Sequence, residues 1–430
     1  MHAAPVTLPG IRASDHRFRL PLDHAHPNGP TIEVFARQLV ASDHLGDDLP
    51  MLVYLQGGPG GEAPRPNDAS GWIGRALRAF RVLLLDQRGT GRSSPVTAQT
   101  LGELGDATAQ ATYLTHFRAD SIVADAEAIR HALLGPDTRW SILGQSFGGF
   151  CALRYLAAAP AGLERVLITG GLASLTRPAE DVYRATYQRL RARNDAYYRR
   201  YPGDEVGWSA VAEHLHDHDV RFPDGERFSV PRLQFLGMAL GGSDGFESLH
   251  WLLEPAFVTV GGRRQLAERF VHEVYRRQGF VSNPLFAVLH EAIYAQQEPT
   301  RWAAQRMLET APEIPFQPGK PLRFTGEMIY PWMFEQFPTL RPFLAAAEAL
   351  AEKDDWPRLY DVDALAANTV PVAALAYLDD MYVDYELARE TARAVGNLRL
   401  WSTDEYQHNG LRADGARILE RLLGMASGPV

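Results

Sequence analysis

The segment Ser141-Ile142-Leu143-Gly144-Gln145-Ser146-Phe147-Gly148-Gly149 joins an apolar, β-prone run to a helix-forming run through the pattern Gly-x-Ser-x-Gly. A serine turned out at the tip of a strand needs a strained backbone, and the residues two before and two after it are pressed together. Only very small side chains fit there, which explains Gly144 and Gly148. The pattern predicts a nucleophile elbow with Ser146 at its apex.

The residues on either side of the elbow have the order that such a turn requires. Residues 139–143 are short, apolar and β-prone, whereas residues 150–159 are rich in helix formers and are followed by Pro160. We therefore expect a strand that ends at the serine and a helix that starts directly after it.

Apolar, β-like segments recur along the chain and indicate a sheet. The first two alternate apolar and polar residues across a turn-rich link, as an antiparallel hairpin does. The later segments are solid apolar runs separated by helical stretches, as buried parallel strands are, so we expect an eight-stranded, mostly parallel α/β sheet. The candidate strands are residues 17–22, 31–37, 50–55, 81–85, 139–143, 165–169, 371–378 and 397–402.

The strand pattern stops between residue 171 and about residue 368, where the sequence favours helices separated by Pro and Gly. This stretch is too long for a connection within a sheet. We expect an inserted, mainly helical cap over the carboxyl ends of the strands, where ligands bind in such sheets. The expected domains are 1–172 (sheet domain, first part), 173–368 (cap) and 369–430 (sheet domain, second part).

The composition argues against several classes of function. The net charge of −9 and the lack of a basic cluster argue against a nucleic-acid partner. No run reaches the roughly 18 apolar residues that cross a membrane, and residues 1–20 lack the apolar core of a signal peptide. The single cysteine, Cys151, suits a reducing compartment and a packed thiol. We expect a cytoplasmic protein without a membrane partner.

A serine nucleophile needs a base that accepts its proton and an acid that orients the base, and in this type of fold the chain order is Ser, then Asp or Glu, then His. The loop after the seventh candidate strand offers Asp379, Asp380 and Asp384. After the eighth candidate strand, residues 400–410 offer one histidine, His408. The sequence thus predicts Ser146 as nucleophile and His408 as base.

Four motifs together resemble those of the prolyl iminopeptidases, which are α/β-hydrolase serine peptidases that remove an N-terminal proline, and the long cap resembles their larger bacterial branch. The resemblance implies the α/β-hydrolase fold and a metal-independent enzyme without a cofactor. It favours Asp380 as the orienting acid, since the family loop places its acid about three residues past the strand end. The motifs are Leu55-Gln56-Gly57-Gly58-Pro59-Gly60, Asp86-Gln87-Arg88-Gly89-Thr90-Gly91-Arg92-Ser93, Gly144-Gln145-Ser146-Phe147-Gly148-Gly149 and Glu405-Tyr406-Gln407-His408-Asn409-Gly410.

The same resemblance assigns the oxyanion hole to the N–H groups of Gly58 and Phe147. Many relatives begin the glycine loop with His where this chain has Gln56, a departure that leaves the backbone role of the loop intact. Asp86 and Arg88 either bind substrate or hold two loops together, and we favour the structural role because a buried pair mostly fixes geometry.

Selection of an N-terminal proline needs a small apolar slot for the ring and carboxylates for the protonated amine, and we expect the cap to supply both. Glu291 is preferred for the amine because its segment resembles the family's amine-binding Glu followed by an aromatic residue. Glu254 and Glu327, which also lie in apolar, aromatic sequence, are alternatives. The candidate aromatic walls are Phe147, Phe150, Trp251, Tyr294, Tyr330 and Trp332.

Other interpretations use the same residues. An esterase, or an aminopeptidase of different specificity, would keep the triad and the cap. A non-catalytic binding protein on this fold is disfavoured by the complete set of Ser, Asp and His. Haloalkane and epoxide hydrolases are disfavoured because they place Asp where this chain has Ser146. The expected partner is a peptide substrate with an N-terminal proline.

Overall fold

The computed structural model describes residues 4–428, and the strands within them form one large sheet and one separate hairpin, β8–β9. In chain order the strands are β1 (Val6–Leu8), β2 (Ile11–Pro21), β3 (Thr31–Ala41), β4 (Met51–Leu55), β5 (Arg81–Leu85), β6 (Trp140–Gln145), β7 (Leu163–Thr169), β8 (Phe257–Val260), β9 (Arg263–Leu266), β10 (Val372–Tyr377) and β11 (Leu398–Thr403).

Within the described residues the large sheet has nine strands in the order β1-β2-β3-β5-β4-β6-β7-β10-β11. The pairs from β1 to β5 along this order are antiparallel, and those from β5 to β11 are parallel. This topology confirms the mostly parallel α/β fold, and each of the eight candidate strands is present. The predicted count is one too low, because β1 is a three-residue edge strand, too short to show an alternating pattern.

The parallel strands are continuous apolar runs because helices cover both faces of the sheet. In β4 the side chains of Val53 and Leu55 pack with the layer that contains α4 and α5, whereas Leu52 and Tyr54 pack with the layer that contains α1 and α18. All five residues of this strand are buried.

The helices of the sheet domain precede β7 or follow β10, apart from α15 (Val362–Ala366), which packs against α5. They are α1 (Gly71–Leu77), α2 (Ala98–Gly102), α3 (Ala107–Leu114), α4 (Ala119–Leu134), α5 (Phe147–Ala158), α16 (Tyr385–Ala394), α17 (Gly410–Ala413) and α18 (Gly415–Ser427). The helices of the insertion are α6 (Ala179–Arg200), α7 (Pro202–Asp217), α8 (Val230–Gln234), α9 (Gly245–Leu253), α10 (Glu268–Arg276), α11 (Pro284–Leu289), α12 (Ala303–Glu309), α13 (Pro331–Gln336) and α14 (Leu344–Glu352).

The helices of the insertion share an apolar core of their own, which includes Trp208, Phe270 and Phe334. Helix α3 joins this core through α14, although it precedes the insertion in sequence. The domain boundaries at residues 173 and 368 stay predictions. In residues 4–428, no helix combines the length and the apolar character needed to cross a membrane.

Candidate active site

Ser146 lies between β6 and α5, and its backbone is strained. Its φ of 53° and ψ of −123° are angles that residues with a side chain rarely adopt. A Cβ atom on Gly144 would lie 2.4 Å from the carbonyl oxygen of Gly148, and one on Gly148 would lie 1.9 Å from that of Leu55. Both glycines are therefore required sterically, and the turn presents Ser146 at the carboxyl end of the central strands.

His408 and Asp380 form a buried pair at the same edge of the sheet. Nδ1 of His408 lies 2.8 Å from Oδ2 of Asp380, and the two residues are 7% and 1% exposed. The other oxygen of Asp380 accepts hydrogen bonds from the backbone N–H groups of Tyr382, at 2.9 Å, and Val383, at 3.1 Å. These bonds fix the carboxylate in an orientation that serves the imidazole.

The two other acids of this loop occupy different environments. Asp379 is exposed. Asp384 accepts hydrogen bonds from backbone N–H groups at the start of α16 and from Nε of Arg189 at 2.7 Å, so it stabilises a helix end. Of the three candidates, only Asp380 contacts His408.

The end of β7 lies against both Ser146 and His408. The backbone N–H of Ser146 donates to the carbonyl of Thr169 at 2.9 Å. The next residue, Gly170, has a φ of 54°, and a Cβ atom there would lie 3.2 Å from Nδ1 of His408. Two consecutive residues, the last of β7 and the first after it, thus contact the backbone of Ser146 and approach the ring of His408.

The cap holds the histidine loop from the opposite side. The backbone N–H of His408 donates to the carbonyl of Gly241 at 3.1 Å. Oδ1 of Asn409 accepts from the N–H of Ser243 at 2.9 Å and from its hydroxyl at 2.8 Å. The ring of Tyr382 packs edge-on against His408, with centroids 4.8 Å apart. The position of the imidazole therefore depends on the cap segment 241–243.

The electrostatic surroundings of His408 favour its protonated form. Burial by itself opposes the charge, but the charge of Asp380, the hydrogen bond to it and the charge of Glu327 together raise the pKa of His408 above its ordinary value. This environment stabilises the imidazolium that forms when histidine accepts a proton.

The glycine loop after β4 lies directly beside the elbow. A Cβ atom on Gly57 would lie 2.8 Å from the Cβ of Ser146. Among the described residues, the backbone N–H groups of Gly58 and Phe147 have no hydrogen-bond partner. Both donors are free to bind an oxyanion next to the serine, as the resemblance implies.

A chain of aromatic rings leads from the elbow into the cap. The ring centroids of Phe147 and Phe150 are 6.1 Å apart, those of Phe150 and Tyr294 are 5.9 Å apart, and those of Tyr294 and Tyr183 are 6.1 Å apart. Three of these rings were expected, whereas Tyr183 was missed. The only sequence pattern that includes Tyr183 is its four-residue spacing from Tyr187, which places both residues on one face of α6. Any core helix can show this spacing.

Glu327 is half-buried beside the His408–Asp380 pair. Burial, together with the negative charge of Asp380, raises the pKa of Glu327 to about 8, although the positive charge of His408 opposes this rise. Its carboxyl group is thus close enough to both residues for their charges to act on it. The charge of the same carboxyl raises the pKa of Tyr183 and of Tyr294, so it acts on these aromatic residues as well.

Glu291 follows α11 in the chain, and its carboxyl group lies at the N-terminus of α12. Its carboxyl oxygens accept hydrogen bonds from the backbone N–H groups of Ala303, at 3.0 Å, and Ala304, at 2.8 Å. Burial raises the pKa of Glu291 to about 7, against the effect of these bonds. Like the charge of Glu327, the charge of Glu291 raises the pKa of Tyr183, so both acids act on the same aromatic residue.

The structure does not bring the remaining candidates to this cluster. Glu254 is exposed at the end of α9, and the neighbouring Trp251 is 62% exposed. Trp332 stacks on Tyr330 at 6.2 Å, and both line a separate cap cavity of about 440 Å³.

Asp86 and Arg88 do not pair with each other. Oδ2 of Asp86 accepts from Arg65 at 2.6 Å, and Arg88 donates to Asp125 at 2.6 Å. Arg88 also donates to the carbonyl of Leu22 at 2.7 Å. Each residue joins different loops, which supports the structural role. Across residues 4–428, no group of three or more His, Cys, Asp and Glu side chains is placed to hold a metal ion.

The chain is similar to several known proteins. The model of the family with the α/β-hydrolase fold matches residues 50–222. A proline iminopeptidase of Aeromonas sobria is 51% identical over 417 residues, 97% of each chain. A proline iminopeptidase of Aspergillus aculeatus is 33% identical over 421 residues, 96% of this chain and 93% of its own. The solved structure of Rv0554 from Mycobacterium tuberculosis covers 96% of this chain and 100% of its own, with 16% identity and a TM-score of 0.43.

Proposed function

The chain belongs to the proline iminopeptidase family of α/β-hydrolases, and from this membership we propose that it is a serine aminopeptidase that releases proline from the N-terminus of peptides. The observation that carries this proposal is the 51% identity to a proline iminopeptidase over 97% of both chains. The strained serine and the buried Asp380–His408 pair support a triad that contains Ser146.

In the first half of the reaction, the hydroxyl oxygen of Ser146 attacks the carbonyl carbon of the N-terminal proline, and Nε2 of His408 accepts the hydroxyl proton. Asp380 accepts the Nδ1–H bond of His408, which leaves Nε2 as the unprotonated nitrogen. The negative charge on the carbonyl oxygen is stabilised by the N–H groups of Gly58 and Phe147. One such donor contributes about 3 kcal/mol of transition-state stabilisation.

The tetrahedral intermediate then collapses. The bond between the proline carbonyl carbon and the next nitrogen breaks, and His408 gives its proton to the leaving nitrogen. In the second half, His408 accepts a proton from water as the water oxygen attacks the prolyl ester of Ser146. Proline leaves, and the serine hydroxyl regains its proton.

The aromatic cluster and the two cap acids account for the selection of an N-terminal proline. Phe150, Tyr183 and Tyr294 offer apolar faces to a pyrrolidine ring next to the elbow. The protonated amine of the substrate needs a carboxylate, and Glu327 is the one that also lies near His408. Glu291, held by α12, supplies a second negative charge on the same cluster.

A comparison of three substrates tests this function. Proline 4-nitroanilide, alanine 4-nitroanilide and a short-chain ester are offered to the wild-type protein and to Ser146→Ala. We expect the proline substrate to give the highest kcat/KM. Because a triad acts as a unit, we expect turnover to fall by a factor of about 10⁶ in the variant. Faster turnover of the ester or the alanine substrate, or an active Ser146→Ala variant, would contradict the proposal.

A further inference from the structure

A cleft of about 740 Å³ opens beside His408, between the sheet domain and the cap. Tyr54 and Trp72 line it on the side of the sheet domain, and residues between Met238 and Ser248 line it on the side of the cap. None of Phe150, Tyr294 and Glu327 borders this cleft, so it is distinct from the proposed proline slot.

His408 lines the cleft, and if the proposed function is correct, its role in catalysis limits which part of the substrate the cleft can bind. His408 must give its proton to the leaving nitrogen, so that nitrogen lies next to the imidazole when the bond breaks. In the proposed function the proline ring packs against Phe150 and Tyr294, neither of which borders the cleft. The chain that follows the proline therefore extends from His408 into the cleft.

The rings of Tyr54 and Trp72 give the cleft an aromatic wall. Their centroids are 4.5 Å apart at an interplanar angle of 28°. Tyr54 is buried and Trp72 is half-buried, so part of the indole is open to the cleft. Gly415, the first residue of α18, packs closely against Trp72, since a Cβ atom on Gly415 would lie 2.8 Å from the Cβ of Trp72. This packing holds the tryptophan in place.

A polar group completes the wall next to the rings. The hydroxyl of Tyr54 donates to Oε1 of Gln56 at 2.6 Å. This bond fixes the orientation of the side-chain amide, whose Nε2 has no partner among the described residues. Gln56 also borders the cleft, so its N–H groups are available to a peptide carbonyl there.

We propose that this cleft binds the leaving peptide, that Trp72 selects an aromatic residue directly after the N-terminal proline, and that the amide of Gln56 donates to the carbonyl of that residue. Aromatic pairs add stabilisation beyond the apolar area that they bury. We expect the preference for an aromatic residue to appear in kcat/KM, because Trp72 contacts the leaving group of the reaction.

The test measures kcat/KM of the wild type and of Trp72→Ala on Pro-Phe-amide, Pro-Gly-amide and prolinamide. Prolinamide releases ammonia and places nothing against Trp72. We expect the variant to lose about 10-fold on Pro-Phe-amide and less than 2-fold on prolinamide. For each substrate, kcat/KM of the variant is divided by that of the wild type, so that differences in the intrinsic reactivity of the leaving amines cancel.

Two further variants control for folding. Trp72→Phe keeps a ring and should retain most of the preference for Pro-Phe-amide. Trp251→Ala removes an exposed cap tryptophan outside the cleft and should leave all three values unchanged. Equal losses on all three substrates, or no loss on Pro-Phe-amide, would overturn the subsite while the proposed function stands. A wild type that releases no proline from prolinamide or from either dipeptide amide would overturn both.

Discussion

Nδ1 of His408 lies 2.8 Å from Oδ2 of Asp380, although 28 residues separate them in sequence. The carboxylate is almost fully buried, and its second oxygen is held by two backbone N–H groups. With Oδ1 held by the backbone, Oδ2 is left to accept the Nδ1–H bond of His408, and this bond fixes the tautomer of the imidazole.

We therefore expect Asp380→Asn to lower kcat on proline 4-nitroanilide by a factor of about 10⁴. The amide occupies nearly the same volume but offers a donor to Nδ1, which favours the wrong tautomer. Circular dichroism and the melting temperature should show a folded variant. As a control, Asp379→Asn changes an exposed acid one residue earlier and should keep wild-type kcat. High activity in Asp380→Asn would remove the carboxylate from the triad.

Glu327 leads to a prediction about pH. Its pKa of about 8 means that the carboxyl is mostly protonated in the free enzyme at pH 7, and it must lose this proton to pair with the cationic amine of the substrate. Because the group becomes ionised as the pH rises, kcat/KM should increase with pH up to about 8. Above that pH the substrate amine itself loses its charge.

Replacement of Glu327 by Gln should remove this dependence and lower kcat/KM about 10- to 100-fold, the loss of one charge-assisted hydrogen bond. The acid limb that remains belongs to His408, and it should lie at a lower pH than in the wild type because the charge of Glu327, which raises the pKa of His408, is gone. The profile is measured from pH 5 to 10 with proline 4-nitroanilide. An unchanged profile in Glu327→Gln would exclude Glu327 as the partner of the amine.

Glu291 should affect stability as well as binding. In Glu291→Ala the N–H groups of Ala303 and Ala304 lose their acceptor, which should lower the free energy of unfolding by about 1–3 kcal/mol. Chemical denaturation measures this loss. Glu254→Ala, at an exposed position, should leave stability unchanged. If Glu291→Ala raises KM without a loss of stability, the residue serves the substrate alone.

Local chemistry was predictable where a short pattern has one steric solution. The spacing of Gly144, Ser146 and Gly148 allows one turn, and the structure has its strained angles. The order of the apolar runs predicted the sheet for the same reason, since buried parallel strands leave few alternatives. The acid that orients His408 could not be chosen from local sequence alone, because three acids share one loop and only the fold shows that Asp380 approaches His408.

The cap was harder to interpret, since its helices present acids and aromatic rings with the same periodicity whether they face a pocket or a core. Glu254 and Glu327 both lie among apolar residues in the sequence, yet Glu254 is exposed whereas the charges of His408 and Asp380 act on Glu327. Tyr183 joins the aromatic cluster through contacts to a helix more than 100 residues away. Tertiary packing decides such positions, and no local pattern encodes it.

The hydrogen bonds between the cap segment 241–243 and residues 408 and 409 have a consequence for cooperativity. Ser146 and the N–H groups of Gly58 and Phe147 belong to the sheet domain, whereas the imidazole of His408 is held partly by the cap. Local unfolding of the cap would release the base and leave the elbow intact. We therefore expect turnover to be lost whenever these contacts break, even where the sheet is still folded.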